Sequence, residues 1–270
     1  MTASVWIHLG LIIGLLLLVG PFIWMLLGSF KTTAEIRQVP PTWLPLHPTT
    51  QNYSDLFAKQ EFPRYFLNST IVAVAVTAGN LLFCSMLGYA LAKLSFPGKR
   101  LLFVIVLGML MVPGIVTFVP LFVLVTNMGL ANTHLGLLLP FLAGPFGVFL
   151  MRQFIGELPD ELLDAARVDG ATEYYIFSRI ILPLSVPALA TLGILTFLAS
   201  WNNFLWPLVV AQSQDMFTLP VALALFATGQ NNTNFGLLLA GAVVVVVPVL
   251  LVFLALQRYF TQGIAMTGFK

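Results

Sequence analysis

Five stretches of this chain contain no Asp, Glu, Lys or Arg for long enough to be placed in lipid. They are everything before Lys31, then Tyr65 to Ala92, Leu101 to Met151, Ile180 to Gln214 and Met216 to Gln257. A crossing helix needs about 20 apolar residues, because a hydrocarbon core offers no water to unsatisfied peptide groups. With 59% apolar and 8% charged residues, the 270-residue chain lies far from the soluble range, in which roughly 25% of residues are charged. It reads as an all-α integral membrane protein.

The run from Leu101 to Met151 is about twice the length of one crossing, and its middle, Asn127 to His134, has turn chemistry. It holds two helices, and six spans follow: roughly 5–28, 67–92, 102–126, 135–151, 185–208 and 236–258. The first is read as a retained anchor, since it lacks a basic stretch before it and its apolar run is long for a signal peptide. Prolines inside the spans (Pro113, Pro120, Pro140, Pro145, Pro207 and Pro248) free backbone groups that neighbouring helices must satisfy, so the spans are expected to be bundled.

Twelve Lys/Arg against ten Asp/Glu leave a net charge of +2, too sparse a field to gather nucleic acid. The single Cys84 can form neither an internal disulfide nor a cysteine metal cluster and is read as a small buried residue. Basic residues flanking the spans favour cytoplasmic termini. That orientation puts Lys93, Lys99, Arg100, Arg152, Arg167, Arg179, Arg258 and Lys270 inside, against Lys31, Arg37, Lys59 and Arg64 outside.

Between the fourth and fifth spans the composition changes abruptly. Arg152, Glu157, Asp160, Glu161, Asp164, Arg167, Asp169, Glu173 and Arg179 crowd into one segment. Burying all nine in lipid would cost on the order of 20 to 30 kcal/mol, so residues 152–183 lie in water or against a protein. Pro159, Asp160 and Glu161 signal a helix start, and Arg167 followed by Gly170 signals its end. Leu162, Ala165, Ala166 and Asp169 would share one face. A second helical pattern puts Tyr174, Phe177 and Ile181 on one side. The segment is either a solvated loop of amphipathic turns resting on the membrane or a docking element.

The stretch from Asp164 to Ala171 (Asp-Ala-Ala-Arg-Val-Asp-Gly-Ala), with Phe177, Leu182-Pro183 and Pro187, resembles the cytoplasmic EAA motif of permease subunits of bacterial and archaeal ATP-binding-cassette importers. Further stretches resemble the carbohydrate branch of that family. They include Tyr65-Phe66-Leu67-Asn68-Ser69, Phe96-Pro97-Gly98-Lys99-Arg100, Trp201 to Leu208 and Gln257-Arg258-Tyr259-Phe260. Nearest is the smaller permease subunit of maltose-type and glycerol-phosphate-type importers. Asp164 replaces the motif's leading Glu, and Asn203 stands where many relatives carry an acidic residue.

The resemblance implies the type I importer fold, a single permease domain over residues 1–270, in a bacterial or archaeal inner membrane. It also implies a coupling helix around Asp164–Gly170, with Asp164, Ala165, Ala166, Asp169, Gly170, Ala171, Phe177, Leu182 and Pro183 forming the ATPase-coupling set. The implied partners are a second homologous permease, two copies of a cytoplasmic ATPase and an extracytoplasmic solute-binding protein. ATP and Mg would bind the ATPase, for this chain has no G-x-x-x-x-G-K-[ST] phosphate loop; no catalytic, cofactor or metal residues are expected in it. Gln230, Asn231, Asn232 and Asn234 are candidates for contact with the binding protein, as against an ordinary outer turn, and the tail from Gln262 resembles one that touches the ATPases.

Polar residues inside the spans, Asn80, Ser85, Tyr89, Thr117, Ser200, Asn202 and Asn203, are candidates for a substrate path or for helix-to-helix hydrogen bonds. An ion-coupled secondary transporter would usually need ionisable groups inside a span, and no Asp, Glu, Lys or Arg sits there. His8, His47 and His134 are too far apart in sequence to suggest an enzyme site. A channel subunit is disfavoured by the ionic segment. The expected cargo is a sugar, oligosaccharide or polyol.

Overall fold

The computed structural model describes residues 2–59, 61–227 and 234–267. Among these, every regular element is helical. The longer helices are α1 (Thr2–Ser29), α2 (Gln51–Lys59), α3 (Phe62–Lys93), α4 (Lys99–Met111), α5 (Gly114–Asn127), α6 (His134–Phe141), α7 (Pro145–Gly156), α8 (Asp160–Val168), α9 (Glu173–Leu184), α10 (Val186–Trp201), α11 (Leu205–Val210), α12 (Leu219–Ala227) and α13 (Phe235–Thr267). Trp6–Ser29, Phe62–Lys93 and Phe235–Ala255 are each long and apolar enough to cross a membrane unaided. Three bent pairs, α4 with α5, α6 with α7 and α9 with α10, bring the crossings to six if each pair is one span.

The sharpest bend has a local cause. At Val112 the chain turns extended (ψ 117°), because the ring of Pro113 excludes the helical conformation from the residue before it. The helix therefore stops at Met111, and α4 and α5 meet at 103°. One span, interrupted by Pro113 and Pro120, was expected over roughly 102–126. Each half is about 20 Å long, short of a bilayer core by itself. The 42° break between α6 and α7 is closed by Asn80 of α3, whose amide donates to Phe141 O (2.6 Å) and whose Oδ1 accepts from Gly144 N (3.1 Å).

The chain forms two compact units, residues 1–66 with 219–250, and residues 67–218 with 251–270. In the first, α1 exposes apolar side chains all round, from Trp6 to Leu26, the surface of a helix facing lipid rather than water. Its carboxyl end is capped by Asn52 of α2, whose amide donates to Ser29 O and Lys31 O, both at 2.8 Å. Beyond it Glu35 Oε1 accepts from Leu46 N (2.7 Å) and Thr42 Oγ1 (3.2 Å). The Leu46 amide is the main reason the Glu35 carboxyl is held below its usual pKa.

In the second unit two buried clusters form at opposite ends of α3. Cys84, Tyr89 and Leu91 pack with Met151, Ile155, Leu163, Ile176, Phe177 and Ile181. Val72 and Val76 pack with Val125, Leu137, Trp206, Val210 and Met216. The first cluster is tight because Gly88 brings backbones together: a Cβ there would lie 2.7 Å from Met151 Cβ and 2.9 Å from Arg152 N. Small residues permit such approach between membrane helices, where dispersion contacts replace the hydrophobic drive. In the second, the Trp206 indole donates to Gly136 O (3.1 Å) and meets Phe118 and Phe141 edge-on.

Candidate functional site

The ionic segment folds as a helical hairpin fixed on its inner side and open on its outer side. Asp160 and Glu161 occupy the first turn of α8 and Arg167 its last, complementing the helix dipole. The helix ends in a Schellman arrangement: Ala171 N bonds Ala166 O (2.9 Å) and Gly170 N bonds Arg167 O (3.0 Å). That geometry requires a left-handed residue after the helix, and Gly170 has φ +80°. Nothing lies within 4 Å of the Cβ a larger residue would place there.

Two side chains near the end of α3 hold the hairpin. Lys93 Nζ, nearly buried, donates to Gly156 O (3.3 Å), Leu158 O (2.5 Å) and Asp160 Oδ1 (2.6 Å), so one cation ties the end of α7 to the start of α8. The same contact holds the Asp160 carboxyl below the usual range. Tyr89 donates its hydroxyl to Glu173. Arg167 Nε binds Glu173 Oε1 (2.9 Å) and its NH1 group binds Asp164 Oδ1 (2.9 Å). The Arg167 hydrogen bond, then that of Tyr89, depresses the Glu173 pKa, while the two carboxylates raise that of Arg167.

Of the expected coupling residues, Asp164, Ala165, Asp169 and Gly170 are exposed, and Ala166 and Ala171 half-buried. Phe177 is buried, with its ring 5.7 Å from that of Tyr89, and Leu182-Pro183 continue α9. Leu163 anchors α8 inward (1% exposed), while Leu162 and Val168 (88% exposed) project outward. Of the expected face of Tyr174, Phe177 and Ile181, the last two are buried in one cluster and Tyr174 departs from it. A π turn over Phe177–Ile181 buries Ile176 and Ile181, five residues apart, and leaves Tyr174 exposed.

A cavity of about 640 Å³ opens in the same unit beside the break between α6 and α7. Ser69, Asn80, Thr196, Ser200, Asn203 and Thr218 contribute polar groups among aromatic and aliphatic walls, and no ionisable side chain lines it. Three of the seven expected path residues, Asn80, Ser200 and Asn203, are brought together here. Asn80 has little capacity left, since both amide hydrogens bond backbone carbonyls and its oxygen accepts from Gly144. Asn203 caps α11 through Oδ1 (3.4 Å to Trp206 N).

Ser85, Thr117 and Asn202 bond carbonyls of their own helices and are absent from the lining. Tyr89 serves the hairpin. Thr218 was missed: its hydroxyl is buried at the cavity wall without a hydrogen-bond partner, a state no sequence pattern announces. Gln230, Asn231 and Asn232 lie outside the described residues. Asn234 caps α13 (Leu237 N to Oδ1, 3.1 Å) and accepts from Thr33 Oγ1 (3.0 Å).

Residues 85–266 match the family described as binding-protein-dependent transport system inner membrane component. The arabinooligosaccharides transport system permease protein of Halalkalibacterium halodurans is 43% identical, with 93% of this chain and 90% of that protein covered. The diacetylchitobiose uptake system permease protein of Streptomyces coelicolor is 36% identical, over 97% and 88%. A crystal structure of a bacterial ABC transporter that imports the acidic polysaccharide alginate has the same fold, with a TM-score of 0.87 over 96% of both chains at 24% identity. With its helical hairpin and uncharged cavity, the chain belongs to the family of binding-protein-dependent transport system inner membrane components, the permease subunits of ABC importers.

Proposed function

We propose that this chain is one half of the translocation path of a carbohydrate importer, in which α8 docks in a separate ATP-hydrolysing subunit. The observation that carries the reading is the hairpin's construction. Its inner side is tied to α3 through Lys93 and Tyr89, and its outer side presents Leu162, Ala165 and Val168 unpartnered. An element that transmits force needs one fixed face and one face free for the driver. Closure of two ATPase copies on ATP and Mg would move α8 as a rigid lever and, with it, α3. The termini and residues 152–183 are then cytoplasmic, in keeping with the excess of basic residues on that side.

A second, homologous permease would complete the cavity, and an extracytoplasmic binding protein would deliver the cargo. A neutral oligosaccharide or polyol suits the uncharged lining, in which Ser200, the Asn203 amide and Thr218 remain as hydroxyl partners. The Asn/Gln-rich segment around residues 230–234 is a proposed contact with that binding protein, and shortening it should lower uptake while sparing assembly.

The test is copurification of the full-length chain with its ATPase and comparison with a chain lacking residues 160–172. Loss of the ATPase with membrane insertion retained supports the reading; an unchanged complex contradicts it. For cargo, the assembled transporter should take up neutral oligosaccharides and not uronate chains. Preferred uptake of the acidic sugar would overturn the neutral assignment.

A further inference from the structure

A second cleft, of about 820 Å³, lies where the turn after α3 meets the amino end of α4 and the carboxyl end of α7. Lys99, Arg100 and Arg152 line it together with Phe96, Phe103 and Val104, and no carboxylate does. Its charge is not a solvated turn alone. The Arg152 guanidinium lies over the Phe103 ring, 4.4 Å from the centroid, so one face of the cation is covered and its plane is fixed. Its NH1 group donates to Gln153 Oε1, and its Nε is buried with no hydrogen-bond partner, so the guanidinium is left incompletely satisfied. Lys99 is positioned by Ala92 O (3.0 Å) and Leu94 O (2.8 Å). Asp160, the carboxylate that feels Lys99, is bound to Lys93.

The cleft's outer wall is apolar. Leu101 (63% exposed) and Val104 (55% exposed) begin a bare aliphatic surface that continues along α4 through Ile105. Since this turn joins two strongly apolar helices, it stands at a membrane surface whichever way the protein is inserted. Three cations above an open aliphatic stripe match an amphiphile with an anionic head and acyl tails, the pattern of basic interhelical pockets that take acidic lipid headgroups.

We propose that the Lys99–Arg100–Arg152 cleft is a binding site for an acidic phospholipid, with the phosphate among the three cations and the acyl chains along α4. The phosphate would accept from Arg152, and Phe103 would hold that guanidinium ready. The bound lipid would also brace the end of α7, from which the coupling hairpin departs.

The test uses the full-length chain in mild detergent, titrated with phosphatidylglycerol or with phosphatidylcholine of the same acyl chains and read by native mass spectrometry. The wild-type chain should prefer phosphatidylglycerol by at least about tenfold. At roughly fivefold per cation near a lipid surface, Arg100→Gln should lower the preference about fivefold, and Arg100→Gln with Arg152→Gln should abolish it. Arg152→Lys should retain more than Arg152→Gln. Arg100 is exposed, so its substitution keeps the test valid if the double variant does not fold. Inorganic phosphate at millimolar concentration should leave the lipid bound. Equal retention of both lipids, or an unchanged preference in Arg100→Gln, overturns the proposal. Displacement by phosphate also overturns it and assigns the cleft to a free anion.

Discussion

The two ends of α3 solve opposite problems with different chemistry. At the hairpin end, Tyr89 and Lys93 bind ionic side chains of other elements, and Arg167 clasps two carboxylates. At the cavity end, Asn80 engages backbone groups at a helix break and accepts from the Cys84 thiol, and the remaining polar side chains of the cavity lining are uncharged. Directional charge-assisted bonds make a stiff joint. Neutral hydroxyls and amides make a wall that a polar solute can enter and leave. Under the proposed function, the same helix would carry a lever at one end and a passage at the other.

The joint is where substitution should matter most. Glu173→Ala removes the acceptor shared by Tyr89 and Arg167, and uptake should fall by more than tenfold with insertion and expression unchanged. Glu173→Gln, which still accepts from Tyr89, should retain part of the activity. Gly170→Val adds no clash, only the strain of positive φ, about 1 to 2 kcal/mol. It should reduce stimulated ATP hydrolysis several-fold, whereas Gly170→Asn, a residue that tolerates that conformation, should be milder. Equal effects of Val and Asn would contradict the backbone explanation.

The cavity should respond differently. Ser200→Ala combined with Asn203→Ala should raise the substrate concentration for half-maximal uptake a few-fold and leave ATPase stimulation intact; a loss of stimulation would erase the distinction between the two ends. Acidification acts on the joint through two carboxyls. The Glu173 and Asp160 carboxyls titrate below their ordinary values of 4.5 and 3.8. Their contribution is thus full above those values and lost as pH falls through the depressed ones. Coupling measured from pH 6 to 8 should carry no slope from these groups. The smallest effect is expected from Thr117→Ala, since that exposed hydroxyl bonds only Gly114 O of its own helix (3.0 Å), and uptake should stay within error of wild type.

Sequence and structure agree best where the signal is local. The start and stop of α8 are written in Asp160, Glu161 and Gly170, because dipole and φ preferences act within one turn. The joint was not legible, since Tyr89 and Glu173 are 84 residues apart and Lys93 and Asp160 are 67 apart. A tyrosine inside an apolar run looks the same whether it faces a solute or a carboxylate. Pro113 was visible, but a proline in a membrane helix can kink a span or end a helix, and the surrounding residues do not say which. The outward turn of Tyr174 escaped because one π turn shifts helical phase, and no residue pattern marks it.

The central claim is that α8 faces the compartment of the ATPase and moves with it. Val168, the most exposed apolar side chain of the helix, can be replaced by Cys, with the buried native Cys84 as an unreactive background. A membrane-impermeant maleimide should then label Val168→Cys only in inverted vesicles, and the bound ATPase subunit should protect it. Labelling in intact cells, or undiminished labelling in the assembled complex, would contradict the account.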